Sequence, residues 1–123
     1  MKRKAIERIK KGLQRNSTIQ ITVDSNCKFY YTDEEGLPAY YKSVKKPRPN
    51  EKVFLIWWAD DNKAEFTITF ANGSPFTRSQ FNSNGGFVKA LVRQSPDPIP
   101  YKYSVVYAAG EEVCEDDPQI IIN

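Results

Sequence analysis

The chain contains no histidine, only one methionine, Met1, and only two cysteines, Cys27 and Cys114. Without imidazole there is no Ser–His or Cys–His pair to activate a nucleophile, and no side chain that titrates near neutrality unless its pKa is shifted. Catalysis by carboxylates would need a convergent, pocketed pair. The adjacent acids of "ADDNKA", Asp60 and Asp61, have the composition of a turn instead. With Asn62 they offer oxygens to a cation, but no calcium-loop spacing follows them. The chain is therefore expected to be neither an enzyme nor a metal protein, with no cofactor.

Long apolar runs are also missing. The longest, Val53 to Ala59 ("VFLIWWA"), has seven residues where a membrane-spanning helix needs about 20. The basic start "MKRKAIERIKKGLQRN" is not followed by the apolar segment of about 7–15 residues that a secretion signal carries. These features predict a cytoplasmic protein without a transmembrane segment. In a reducing cytosol Cys27 and Cys114 are expected as thiols, and the sequence leaves open whether they lie close together. The acceptor patterns at Asn16-Ser17-Thr18 and Asn72-Gly73-Ser74 are read as chance for the same reason.

What is present is aromatic. Seven Phe, seven Tyr and two Trp in 123 residues supply enough buried area for one core. The net charge of +3 is unevenly placed. Residues 1–16 carry Lys2, Arg3, Lys4, Arg8, Lys10, Lys11 and Arg15 against Glu7, a balance of +6, and the other 107 residues sum to −3. Ala5, Ile6, Ile9 and Leu13 fall at helical spacing, so residues 1–16 read as a short basic amphipathic helix preceding a domain at 17–123. Such a helix either caps the domain, packing Ile6, Ile9 and Leu13 on it, or offers its seven basic side chains to nucleic-acid phosphates or an anionic surface.

From Thr18 the apolar period becomes two. Strands are predicted at Thr18–Val23, Lys28–Thr32, Ala39–Val44, Lys52–Trp58, Glu65–Phe70, Phe87–Arg93, Tyr101–Tyr107 and Gln119–Ile122, separated by turn chemistry such as "EEGLP", "KKPRPNE" and "SPDPIP". In "KVFLIWW" both faces are apolar, which predicts a central strand with its second face under cover. Tyr30, Tyr31, Tyr40 and Tyr41 alternate in pairs on neighbouring strands, so some must face out, and core filling with cross-strand pairing accounts for most of them. The acidic stretch around Cys114 reads as a solvated hairpin end. The long segment Asn72–Gly86, "NGSPFTRSQFNSNGG", has no strand character, and loops of that length are often functional. Phe76, Arg78, Phe81, Asn82 and Asn84 within it are the partner-binding candidates, with the alternative that the two phenylalanines plug the end of the domain.

By "RPNEKVFLIWWADD", "FTITF", "YKYSV" and "DPQIII" the chain resembles, over roughly Thr18 to Asn123, small bacterial β-sandwich proteins of cupredoxin-like type. The resemblance implies an all-β, antiparallel two-sheet sandwich, cupredoxin-like or immunoglobulin-like, of about seven to eight strands. In copper-binding members the strand matching Tyr101–Ser104 leads to a ligand cysteine, and that place is taken here by Val105. The His₂Cys set with an axial methionine that such copper sites use cannot be assembled from this chain. With the absent ligands, the long polar-aromatic segment and the lack of a catalytic constellation, the expected function is a metal-free, non-enzymatic binding or protein-interaction module, accessory to a larger system, with an unidentified protein partner. The alternative is nucleic-acid or anionic-surface binding through the basic N-terminus.

Overall fold

The computed structural model describes residues 13–123, in which all regular structure is β-strand. Most of the helix expected at 1–16 therefore lies outside the described residues. Its last part does not: strand β1 spans Gln14–Val23, so Gln14, Arg15 and Asn16 are extended, and the boundary placed at 16/17 falls inside a strand. The reason is tertiary. Gln14 to Ile21 pair in parallel with Lys52 to Ala59 of β4 (Lys52–Ala59) in one unbroken register. Arg15, on the inward face with Ser17, Ile19 and Ile21, reaches Glu51 just before β4 starts. A cross-strand ladder and an ion pair outweigh the weak helical pattern of a polar segment.

The remaining strands are β2 (Phe29–Asp33), β3 (Tyr41–Val44), β5 (Glu65–Thr69), β6 (Gln80–Asn82), β7 (Phe87–Leu91), β8 (Pro100–Lys102), β9 (Ser104–Ala109), β10 (Glu112–Asp116) and β11 (Gln119–Ile122). They form three sheets, ordered β2-β1-β4-β7, β10-β9-β5-β6 and β3-β11-β8. Two pairings are parallel, β1 with β4 and β3 with β11, so the expectation of a purely antiparallel arrangement of two sheets is corrected to three sheets, two of them mixed.

Strand β4 is central, as its two apolar faces predict, but the expected cover over its second face is incomplete among the described residues, where Trp58 is exposed. Val53, Leu55 and Trp57 are fully buried, whereas Phe54 and Ile56 are half-buried. The segment read as one strand from Tyr101 to Tyr107 is two. It passes from the third sheet to the second at Tyr103, whose N–H is taken by the Pro118 carbonyl at 3.1 Å. The return strand bends at the same level, between β10 and β11, where Pro118 cannot donate to a ladder. A single core fills the space between the sheets, and Trp57 lies at its centre within 6.4 Å, ring centre to ring centre, of Phe70, Phe76 and Tyr103.

The stretch Asn72–Gly86 is not a free loop. Phe76 bridges Val92, Gln80–Asn82 pair with Thr67–Thr69, and Asn84 and Phe87 flank a two-residue turn. Gly85 and Gly86 both have positive φ, 65° and 83°, as a tight hairpin turn of this hand requires. Likewise the acidic stretch near the C-terminus is strand β10, paired antiparallel with β9.

Candidate functional site

The first cluster of reactive side chains lies where the β1–β2 turn meets β10. Asp24 organises that turn: one carboxylate oxygen accepts the N–H groups of Asn26 and Lys28, both at 2.9 Å, and its carbonyl accepts the Cys27 N–H at 3.1 Å. Cys27 sits in the left-handed region, φ 60°, and its sulfur is bonded to that of Cys114 on β10, with Cα atoms 5.3 Å apart. The expectation of two thiols is thus corrected. The bond ties the first sheet to the edge of the second across 87 residues of chain. Glu112, two residues before Cys114, projects from the same face of β10, and its carboxylate lies within 4.8 Å of both sulfurs.

Beside this cluster an open cleft of about 530 Å³ is lined by Thr22, Asp60, Asp61, Lys63 and Tyr107. Burial, and then the two aspartates, push the Tyr107 phenol above its ordinary range. The cleft is exposed, and Asp61 spends one oxygen on the Lys63 N–H, which makes it a turn former, as the sequence suggested. No convergent acid pair arises there.

A second charged group holds the β2–β3 region. Lys42 is buried and its ammonium meets Glu34 at 3.0 Å and Asp33 at 3.8 Å. The Asp33 carboxyl is held below its usual range, first by the Leu37 N–H that it accepts and further by Glu35 and Lys42. Nearby, Tyr31 donates to Asp116 at 3.0 Å, and burial, followed by that carboxylate, pushes its phenol far up. Tyr31 is inside, while Tyr30 and Tyr41 face out, as the pairing of tyrosines required. An apolar groove of about 280 Å³ runs along the third sheet between Tyr41, Pro100 and Ile121.

The partner-binding candidates separate. Phe76 and Phe81 are core residues, edge-on to each other at 6.0 Å, so the plugging alternative describes them. Arg78 is exposed and stacks over the Phe81 ring at 5.7 Å. Asn82 is also exposed, and its amide oxygen accepts the Thr67 hydroxyl at 3.0 Å. Asn84 is at the tight turn, exchanging backbone bonds with Phe87. Of the basic candidates, Lys2, Arg3, Lys4, Arg8, Lys10 and Lys11 lie outside the described residues. Arg15 is committed inward, with its guanidinium on Glu51 at 3.3 Å and on the Lys45 carbonyl at 2.9 Å. It ties β1 to the segment leading into β4.

An aromatic face emerges on the outside of the first sheet. Trp58 on β4 and Phe87 on β7 are register partners, 39% and 49% exposed. Along the same outward rows stand Phe54, Ile56 and Leu91, with the Lys89 ammonium 4.3 Å above the Phe54 ring. Lys52 also points outward, and the outward-facing residues of these four strands include no carboxylate. The signal for this face was the unbroken apolar run of β4; its pairing with Phe87 was not readable, because β4 and β7 are separated in the chain by β5 and β6 and no local pattern gives their register.

No family model matches the chain, and no curated protein matches it in sequence. Among the described residues no helix is long and apolar enough to cross a membrane.

Proposed function

We propose that the chain is a non-enzymatic binding module, a cupredoxin-like or immunoglobulin-like β-sandwich built from the three sheets, that docks another protein on the outer face of its first sheet. The observation that carries this is the Trp58–Phe87 pair. Two large aromatics side by side in water, flanked by half-buried Phe54, Ile56 and Leu91, have the composition of interface centres, where aromatics are enriched and charge is depleted. Lys52 at the end of the β4 row, and Lys89 within the patch between Phe87 and Leu91 and opposite Ile56, meet no acid on that face among the described residues and fit a partner that brings carboxylates to its apolar patch. Asn84, at the turn leading into Phe87, is the sequence candidate that this face retains.

The lack of imidazole in the sequence and the burial of Val105 in the core support a sandwich without copper chemistry. While Cys27 and Cys114 are joined, their sulfurs are not available as thiolate ligands either. The bond also bears on location: it fits an oxidising compartment better than the cytoplasm expected from the N-terminal residues, where the pair would stand as thiols.

The test is affinity capture from the native host with the oxidised chain and with Trp58→Ser/Phe87→Ser. A protein retained by the wild type, lost by the variant and rebound by the wild type as a purified pair supports the reading. If everything captured is captured equally by the folded variant, the reading falls.

A further inference from the structure

We propose that reduction converts the Cys27–Cys114 pair, together with Glu112, into a binding site for a thiophilic divalent cation of the zinc type. This goes beyond the docking surface and does not depend on it.

Three donor atoms already converge. Both sulfurs and a Glu112 carboxylate oxygen lie within 4.8 Å of one another. They come from two separately braced elements. Cys27 is held by the Asp24 turn through three hydrogen bonds that do not involve its sulfur, and Cys114 and Glu112 by the β9–β10 ladder, with Cys114 opposite Tyr107 and Glu112 opposite Ala109. Opening the sulfur–sulfur bond therefore leaves the backbone positions defined. Two thiolates on one tetrahedral zinc, each at about 2.3 Å, stand roughly 3.8 Å apart. The Cα spacing of 5.3 Å allows that separation by rotation of the side chains alone.

The donor set also selects its ion. Two thiolates and one carboxylate favour zinc over magnesium or calcium, which prefer oxygen alone. Cys114 is 3% exposed and Cys27 half-buried, whereas Glu112 is exposed, so the site is closed toward the core and open on the carboxylate side. A water takes the fourth position there. Glu111, Glu115 and Asp117, exposed on or beside β10, add negative charge that favours a cation.

The chemistry balances in two steps. A dithiol reductant gives two electrons and two protons to the bond, leaving Cys27 and Cys114 as thiols and itself as a disulfide. The cation then displaces one proton from each thiol. Cation binding and disulfide formation exclude each other, because both use the same two sulfurs.

The experiment titrates Co²⁺, then Zn²⁺, into the full chain before and after reduction by a phosphine, with near-ultraviolet circular dichroism reporting the fold. The expected result is one Co²⁺ per reduced chain with a thiolate-to-cobalt charge-transfer band, displaced by Zn²⁺, and no such band in the oxidised chain. Glu112→Gln, which leaves the cysteines intact, should weaken Co²⁺ binding at least about tenfold, and Cys27→Ser/Cys114→Ser should abolish the band. A folded reduced chain without the band would overturn the proposal. So would binding that persists unchanged in Glu112→Gln or accompanies loss of the folded signal, since either would mean that the folded three-donor site is not responsible.

Discussion

The indole N–H of Trp57 donates to the hydroxyl of Tyr103 at 3.1 Å, with both side chains buried at the point where one strand passes from the third sheet to the second. It is the polar contact at the centre of an otherwise apolar core. Burial pushes the Tyr103 phenol well above its ordinary range, so it is the neutral hydroxyl that accepts from the indole.

Tyr103→Phe keeps the edge-on contact with Trp57 and the tilted contact with Phe70 and removes the hydroxyl that accepts from the indole. An unpaired buried N–H costs about 1–3 kcal/mol. Urea unfolding of the oxidised variant should therefore show a loss in that range with an unchanged m-value; a loss below a few tenths would mean that another group satisfies the indole.

The bond between Cys27 and Cys114 constrains the unfolded chain across 87 residues. Removing it in Cys27→Ser/Cys114→Ser should lower stability by about 2–5 kcal/mol. Comparing the midpoints of the oxidised wild type and the variant in denaturant checks this. The variant should also show faster exchange of amides in β10, an edge strand that among the described residues is otherwise paired with β9 alone.

Gly85 and Gly86 share a turn and a positive φ but not their surroundings. A Cβ at Gly85 meets no atom closer than 3.9 Å, whereas one at Gly86 would stand 2.8 Å from the Asn62 Cα and 2.9 Å from the Asp61 carbonyl oxygen. Gly85→Ala should cost about 1–2 kcal/mol, the price of the left-handed backbone alone. Gly86→Ala should cost more, because backbone must move, and thermal melts of the two variants measured side by side give the order directly.

Glu51 is held below the usual carboxyl range, first by the Arg48 N–H at 3.0 Å and then by Arg15. A lowered folded pKa means that its stabilising contribution is present above the ordinary glutamate range and is lost as pH falls through the folded value. Glu51→Gln should thus flatten the acid limb of the stability–pH curve obtained from urea unfolding at a series of pH values; an acid limb identical to that of the wild type would contradict this.

Much of the strand content was legible because period two is a local property: Gln119–Ile122 was located to the residue, and β4 to within one. What was not legible is long-range. Parallel pairing of Gln14–Asn16 with β4 overrides a short helical pattern, and no local signal marks it. The three-residue strand β6 and the acidic β10 have weak intrinsic preference and exist because β5 and β9 offer them an edge. The same limit hid the sites. Cys27 and Cys114 meet through the turn at Asp24, and Trp58 meets Phe87 through a long-range register between β4 and β7, so neither pairing follows from composition.

The outer face of the first sheet as a docking surface is tested most directly by isothermal titration of the purified captured partner into the oxidised wild type and into Trp58→Ser/Phe87→Ser. Two aromatic anchors lost from the centre of an interface should weaken binding by at least about 100-fold, with circular dichroism unchanged. Equal affinity for the two folded chains would contradict the account.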